Sequence, residues 1–219
     1  MAKASDRETL RLHGPAGNLE AVLEIPPQTA VKAVAILCHP HPLHQGTMQN
    51  KVVYTLARAM NELGIIALRF NFRGVGGSDG VYADGEGEIE DVEAVADYVR
   101  ERWPGAELWL AGFSFGAVVS ARAAGMLLPT QLISIAPAVN ILGRELTSPP
   151  AMPWLVVQGE KDDVVPAGEV VDWVNTLNPA PELVLLPEAG HFFHGCLVEL
   201  RNILVNKLGP VTENNDRKS

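Results

Sequence analysis

Short apolar runs alternate with longer segments of helical spacing along this chain. The runs at 33–38, 65–70, 108–112, 132–135, 154–158 and 183–186 lack strict polar alternation, which predicts strands covered on both faces in a mostly parallel sheet. Segments 9–13 and 19–25 alternate better and predict an antiparallel hairpin at the sheet edge. Between the strands, Val52, Val53, Leu56, Met60 and Leu63 recur at helical spacing, and Gly64 supplies a stop. Ile89, Val92, Val95, Val99 and Trp103 make a second stripe that ends at Pro104, with acids in its first turns, where the helix dipole favours them. Further helices are predicted over 115–126, 167–177 and 194–208. Strands alternating with helices point to an α/β architecture with helices on both faces of the sheet.

A chain of 219 residues, 47% hydrophobic and 20% charged, is long enough for one domain with a sizeable core. Residues 1–209 are expected to form that single domain, and 210–219 a frayed polar tail. The formal net charge of -9 opposes binding of a polyanion without a local basic patch, and no such patch is visible, so nucleic acid is not an expected partner. Cys38 and Cys196 imply no disulfide framework. The polar start of the chain lacks the apolar core of a secretory signal, and no apolar run reaches membrane-spanning length, so a cytoplasmic location is expected.

The chemistry gathers where strands end. The run at 108–112 leads directly into Gly112-Phe113-Ser114-Phe115-Gly116 and then an alanine-rich helix, the strand-turn-helix setting that a G-x-S-x-G elbow requires. A sharp turn there lifts the serine hydroxyl above the sheet edge and leaves room only for small residues two positions away. The first backbone N–H groups of the following helix lack intrahelical partners, so the Phe115 N–H is a candidate donor to an anion forming at Ser114. A serine hydroxyl is a poor nucleophile at neutral pH unless an imidazole takes its proton and a carboxylate orients that imidazole. The loop Gly159-Glu160-Lys161-Asp162-Asp163-Val164-Val165 follows one predicted strand, and Pro187-Glu188-Ala189-Gly190-His191 follows another. Ligands in open parallel sheets gather beyond the carboxyl ends of the strands, so three loops deliver serine, acid and histidine to one edge.

The order Ser114, Asp162, His191 resembles the α/β-hydrolase superfamily across residues 34–208. The resemblance implies the α/β-hydrolase fold, with a central sheet of about eight strands. It also assigns the acid to Asp162, through the superfamily's G-x-x-D-x-x-V loop, with Asp163 as the alternative. Members usually draw a second oxyanion donor from the loop after the third strand. Here that loop reads His39-Pro40-His41-Pro42-Leu43-His44, and since proline cannot donate, the His41 N–H becomes the candidate. Segments 46–51 and 71–80 look similar to small, cap-less bacterial hydrolases related to the dienelactone hydrolase branch. That branch often carries a cysteine nucleophile where Ser114 stands. The short connection after Ala136, with Ser148-Pro149-Pro150 leading into the next strand, leaves little room for a lid.

The implied activity is that of a serine carboxylesterase on short or soluble esters, a small-molecule substrate, with no cofactor. The same triad serves thioesterases, amidases and acyltransferases, and the fold also serves non-catalytic ligand-binding modules. The cluster His39, His41 and His44, with His191 and His194, raises a transition-metal site, yet no H-E-x-x-H helix is present and His191 has another role, so no metal is expected. Residues 73–80 lack the G-K-[ST] ending of a phosphate loop and precede several acids, which argues against a nucleotide. Phe113, Phe115, Phe192 and Phe193 either line an acyl pocket or pack in the core.

Overall fold

The computed structural model describes residues 6–27, 30–140 and 152–209. Its strands and helices run β1 (Asp6–Gly14), β2 (Gly17–Ile25), β3 (Ala33–Cys38), α1 (Lys51–Glu62), β4 (Ile66–Phe70), α2 (Glu86–Arg102), β5 (Glu107–Phe113), α3 (Phe115–Leu127), β6 (Gln131–Ile135), β7 (Trp154–Gly159), α4 (Ala167–Thr176), β8 (Glu182–Leu186) and α5 (Leu197–Leu208). Eight strands make one sheet in the order β1-β2-β4-β3-β5-β6-β7-β8, parallel from β4 to β8 and antiparallel at the β1–β2 hairpin and its junction with β4. This is the α/β-hydrolase fold, as the sequence implied.

The two-sided burial of the central strands follows from their composition. In β3, Val34, Ile36 and Cys38 join the core beneath α2 and α3, while Ala33, Ala35 and Leu37 join the core beneath α1 and α5. An apolar residue on each side of the pleat is what a strand covered by helices on both faces needs. On α1 the stripe Val52, Val53, Leu56 and Met60 is buried, and its N-terminus is closed by the Asn50 side chain, which accepts from the Val52 N–H. Helix α3 is buried nearly all round, and its alanines let it lie close to the sheet. Helix α5 begins at Leu197 rather than at residue 194, because Phe193 and Gly195 take positive φ values of 52° and 78° that a helix does not admit.

The chain leaves β3 toward β4 on one side and leaves β5 toward β6 on the other, so a crevice opens above the carboxyl ends of β3 and β5. The loop after β4 forms one wall of that crevice and is fastened from below. The Glu20 carboxylate accepts from Asn71 Nδ2 and the Gly77 N–H, both at 2.8 Å, and Ser78 Oγ accepts from the Glu20 N–H at 2.9 Å. Within residues 73–80, the Gly77 amide is therefore already taken by an internal carboxylate. Arg73 binds α2, with Nε 3.0 Å and one terminal nitrogen 2.8 Å from Asp91 Oδ1, while its own N–H reaches Asp91 Oδ2 at 2.9 Å.

The expected tail at 210–219 and residues 148–151 of the connection before β7 lie outside the described residues. Among the described residues, no helix is long and apolar enough to cross a membrane. Asp91 is fully buried, so replacing it by alanine leaves the Arg73 guanidinium only the exposed Glu90 carboxylate, 3.1 Å away. Losing the buried partner of such a pair costs at most about 3–5 kcal/mol. Asp91→Ala is expected to lower the denaturant midpoint by a corresponding amount, measured by urea unfolding against the wild type.

Candidate active site

Ser114 sits between β5 and α3 with φ 55° and ψ −115°, a backbone conformation that costs a non-glycine residue on the order of 1–3 kcal/mol. Neighbouring segments hold it there. Its N–H donates to Ile135 O at 2.9 Å, and its carbonyl accepts from Ala117 N at 3.1 Å and Ala138 N at 3.2 Å. The flanking glycines are required by contact: a Cβ at Gly112 would lie 2.2 Å from Gly116 O, and one at Gly116 would lie 2.4 Å from His39 O. The absence of a side chain at position 116 brings the end of β3 against the first turn of α3.

The sequence-predicted side chains converge. His191 Nε2 is 3.1 Å from Ser114 Oγ, and His191 Nδ1 is 2.8 Å from Asp162 Oδ2. All three residues are buried. The acid and histidine loops are joined through their backbones, with the Glu160 N–H donating to Leu186 O at 2.9 Å and the Lys161 N–H to Ala189 O at 3.0 Å. Gly159 permits this approach, since a Cβ there would lie 2.3 Å from Ala189 O. Asp162, not Asp163, reaches the imidazole; Asp163 is exposed.

Asp162 is saturated with donors. Oδ1 accepts from the N–H groups of Val164 and Val165 at 2.9 and 2.7 Å, and Oδ2 accepts from Gln158 Nε2 at 2.9 Å besides its bond to His191. Burial pushes the carboxyl up, but the His191 and backbone hydrogen bonds together outweigh it and hold the group below the usual carboxylate range. Gln158, which the sequence reading passed over, fixes the acid by donating also to Val165 O at 3.0 Å. The available signal was a single amide-bearing residue near the end of the otherwise apolar run Trp-Leu-Val-Val.

The two oxyanion candidates belong to the first residue of α3 and to the loop after β3. Phe115 opens α3, so its N–H has no intrahelical partner. The His41 N–H donates no hydrogen bond among the described residues. The His41 ring lies 4.8 Å from the Phe115 ring, centroid to centroid, which places the β3 loop beside the elbow. Of the four phenylalanines, Phe113, Phe115 and Phe193 are core residues, whereas Phe192 is 45% exposed and packs edge-on to His191 at 5.1 Å.

His39 and His41 of the β3 loop are committed to partners within the protein. His39 is fully buried, with Nδ1 2.6 Å from Pro40 O and Nε2 accepting from the Phe72 N–H at 3.1 Å. Burial pushes its pKa down to about 4, which keeps the ring neutral. Among the described residues, no three or more His, Cys, Asp or Glu side chains are grouped to hold a metal ion. A cavity of about 320 Å³ lies between Gln131, Trp154, Glu182 and Lys207, at the opposite end of the strands from Ser114.

A depressed carboxyl stabilises the fold at and above the usual carboxylate range, and that contribution is lost as pH falls through the folded-state value. Asp162→Asn is therefore expected to lose stability less steeply than the wild type below about pH 3.8, the ordinary value for the group. Urea unfolding at a series of acid pH values measures the two slopes.

Known proteins place this geometry in a family. Residues 29–150 match the family described as serine aminopeptidase, S33. An α-β serine hydrolase homologue from Coxiella burnetii shares 49% identity, with a TM-score of 0.89 over 92% of this chain and 97% of that one. XC6422 from Xanthomonas campestris, described as an α/β serine hydrolase without lid, shares 47% identity, with a TM-score of 0.88 over 94% of this chain and 97% of that one. The uncharacterized protein RP471 of Rickettsia prowazekii (strain Madrid E) is 35% identical over 193 residues, 83% of this chain and 80% of its own length. With its sheet order, strained serine elbow and this likeness along nearly its whole length, the chain belongs to the serine aminopeptidase S33 family of the α/β-hydrolase superfamily and is an α/β serine hydrolase.

Proposed function

We propose that the protein is a carboxylesterase that cleaves short or soluble esters through a Ser114–His191–Asp162 triad and an acyl-enzyme. The observation that carries this reading is the continuous hydrogen-bonded line from Ser114 Oγ through both ring nitrogens of His191 to Asp162 Oδ2, at 3.1 and 2.8 Å.

With Asp162 accepting from Nδ1–H, the second ring nitrogen, Nε2, is left as the base toward Ser114. As Oγ attacks an ester carbonyl, its proton passes to Nε2, and the carbonyl oxygen becomes an oxyanion facing the Phe115 and His41 N–H groups. Collapse of the tetrahedral intermediate breaks the ester C–O bond, and the imidazolium returns the proton to the departing alkoxide. Water then repeats the sequence on the acyl-enzyme and frees Ser114. The donors on Asp162 keep it anionic throughout, so it orients and stabilises the imidazolium without taking the proton.

A site without a lid would favour substrates presented singly in water. The connection from Ala136 to Pro153 is short, and the Xanthomonas relative is described as lacking a lid. Nucleophile geometry does not encode the leaving group, so a panel of esters, thioesters and amides decides the bond class.

Ser114→Ala is expected to abolish covalent labelling by a fluorophosphonate and to reduce ester turnover on the order of 10⁵-fold or more. Labelling that persists in the variant rules out this nucleophile, and a wild type that takes no label is a binding module instead. In the wild type, kcat/KM for a small ester falls on the acid side, because a protonated imidazole cannot accept the serine proton. A profile flat from about pH 5 to 9 rules out the histidine base. Short soluble esters are expected to outcompete emulsified long-chain lipid in a direct rate comparison; the reverse order overturns the substrate assignment.

A further inference from the structure

The His41 ring is held more tightly than the spacer of a surface loop requires. Its Nδ1 accepts from the Leu43 N–H at 3.2 Å. A backbone N–H can only donate, so Nδ1 carries no proton, and in the neutral ring the hydrogen sits on Nε2. Burial, and then the neighbouring His44 charge, hold the His41 pKa below the ordinary histidine value, which favours that neutral form. Nε2–H therefore donates to Tyr82 Oη, 3.3 Å away. The ring is also wedged among Phe115 at 4.8 Å, Tyr82 at 5.1 Å and His44 at 4.8 Å.

Tyr82 belongs to the loop after β4, a separate segment with its own anchorage. The next residue, Ala83, donates its N–H to buried Glu88 Oε1 at 3.0 Å, and Arg73 ties the same loop to Asp91. Two more bridges join the β3 and β4 loops: Phe72 N–H to His39 Nε2 at 3.1 Å, and Met48 N–H to Asn71 Oδ1 at 2.8 Å. These two fix the base and the far side of the β3 loop. The Tyr82–His41 bridge is the one that acts on the residue proposed as second oxyanion donor, whose backbone N–H donates no hydrogen bond among the described residues. Position 41 lies between Pro40 and Pro42, its carbonyl accepts from the His44 and Gly46 N–H groups at 3.0 Å, and Pro40 O lies 2.6 Å from His39 Nδ1, so the ring adds the one side-chain restraint on residue 41 that comes from the β4 loop.

We infer that Tyr82 is a positioning residue for the oxyanion site: its hydroxyl, by holding the His41 ring, aims the His41 N–H at the oxygen that becomes negative when Ser114 attacks. This rests on the proposed acyl transfer by Ser114. Tyr82 touches neither substrate nor Ser114 in this role. It acts only through His41.

The test compares an oxoester with the matching thionoester in the wild type and in Tyr82→Phe, which keeps the ring and its packing. A thiolate accepts hydrogen bonds more weakly than an alkoxide, so a thionoester draws little on amide donors. Complete loss of one oxyanion donor costs on the order of 10²–10³ in kcat, and a misaimed donor forfeits part of that. Tyr82→Phe is expected to lower kcat for the oxoester roughly tenfold with KM little changed, and to leave the thionoester rate nearly unaltered. The oxo-to-thiono ratio then falls. His41→Asn retains a side-chain acceptor for the Leu43 N–H but cannot span to Tyr82. It is expected to lower the same ratio, and adding Tyr82→Phe to it lowers the ratio no further. Equal losses on both substrates, an unchanged oxoester rate, or additive effects in the double variant overturn the positioning role. If the wild type also shows no Ser114-dependent fluorophosphonate labelling, the acyl-transfer reading fails with it. Labelling with an unaltered ratio removes the Tyr82 inference alone.

Discussion

The carbonyl oxygens of Cys38 and His39 lie so close to the first turn of α3 that a Cβ at position 116 would come within 2.5 and 2.4 Å of them. The rest of the site depends on this approach. It sets the β3 loop beside the elbow, with the His41 ring 4.8 Å from that of Phe115. It also helps confine Ser114 to a conformation that the isolated chain would leave, together with the bonds from Ile135, Ala117 and Ala138. Strain at a functional turn persists only where the surroundings over-determine it, and here β6, α3 and the end of β3 all take part.

Around that contact the chain places polar groups in pairs that leave few choices. Glu20 accepts from the Gly77 amide of the Gly-rich loop, Arg73 joins that loop to α2, and His39 links the ends of β3 and β4. Each is an interaction between segments far apart in sequence. Buried polar groups of this kind are costly unless satisfied, and when satisfied they admit only one arrangement of the loops that carry them. On the opposite side of Ser114 the same logic governs Asp162, whose two oxygens take four hydrogen bonds from Val164, Val165, Gln158 and His191. An anion so held orients an imidazole without competing for its proton.

Much of this was legible in the sequence because the governing physics is local. The runs at 33–38 and 154–158 had to be interior strands, since apolar residues at nearly every position need cover on both faces. The Gly112-to-Gly116 elbow could be recognised because a sharp strand-to-helix turn excludes side chains at fixed offsets, and its amide donor at Phe115 follows from the start of any helix. Serine, acid and histidine loops could be assigned to one edge because each follows the end of a parallel strand. The start of α5 was misplaced because positive φ at Phe193, a residue with no special freedom, is imposed by the packing of the histidine loop and leaves no mark in local spacing.

Tertiary structure alone decided the matters that depend on where a distant side chain lands. Neighbouring Asp162 and Asp163 are chemically identical, and only the docking of the β7 loop on the β8 loop turns one toward His191 and the other to solvent. Gln158 reads as one polar residue in a strand until its amide is found on Asp162. His39 and His41 read as possible metal ligands until Phe72 and Tyr82 occupy their ring nitrogens. By itself the sequence determined the strands, the elbow and the order of the chemical groups, because these follow from periodicity and from steric limits within a few residues. The partners of each buried polar atom were decided by the fold, because a hydrogen bond across tens of residues is specified by the packing that brings its two ends together.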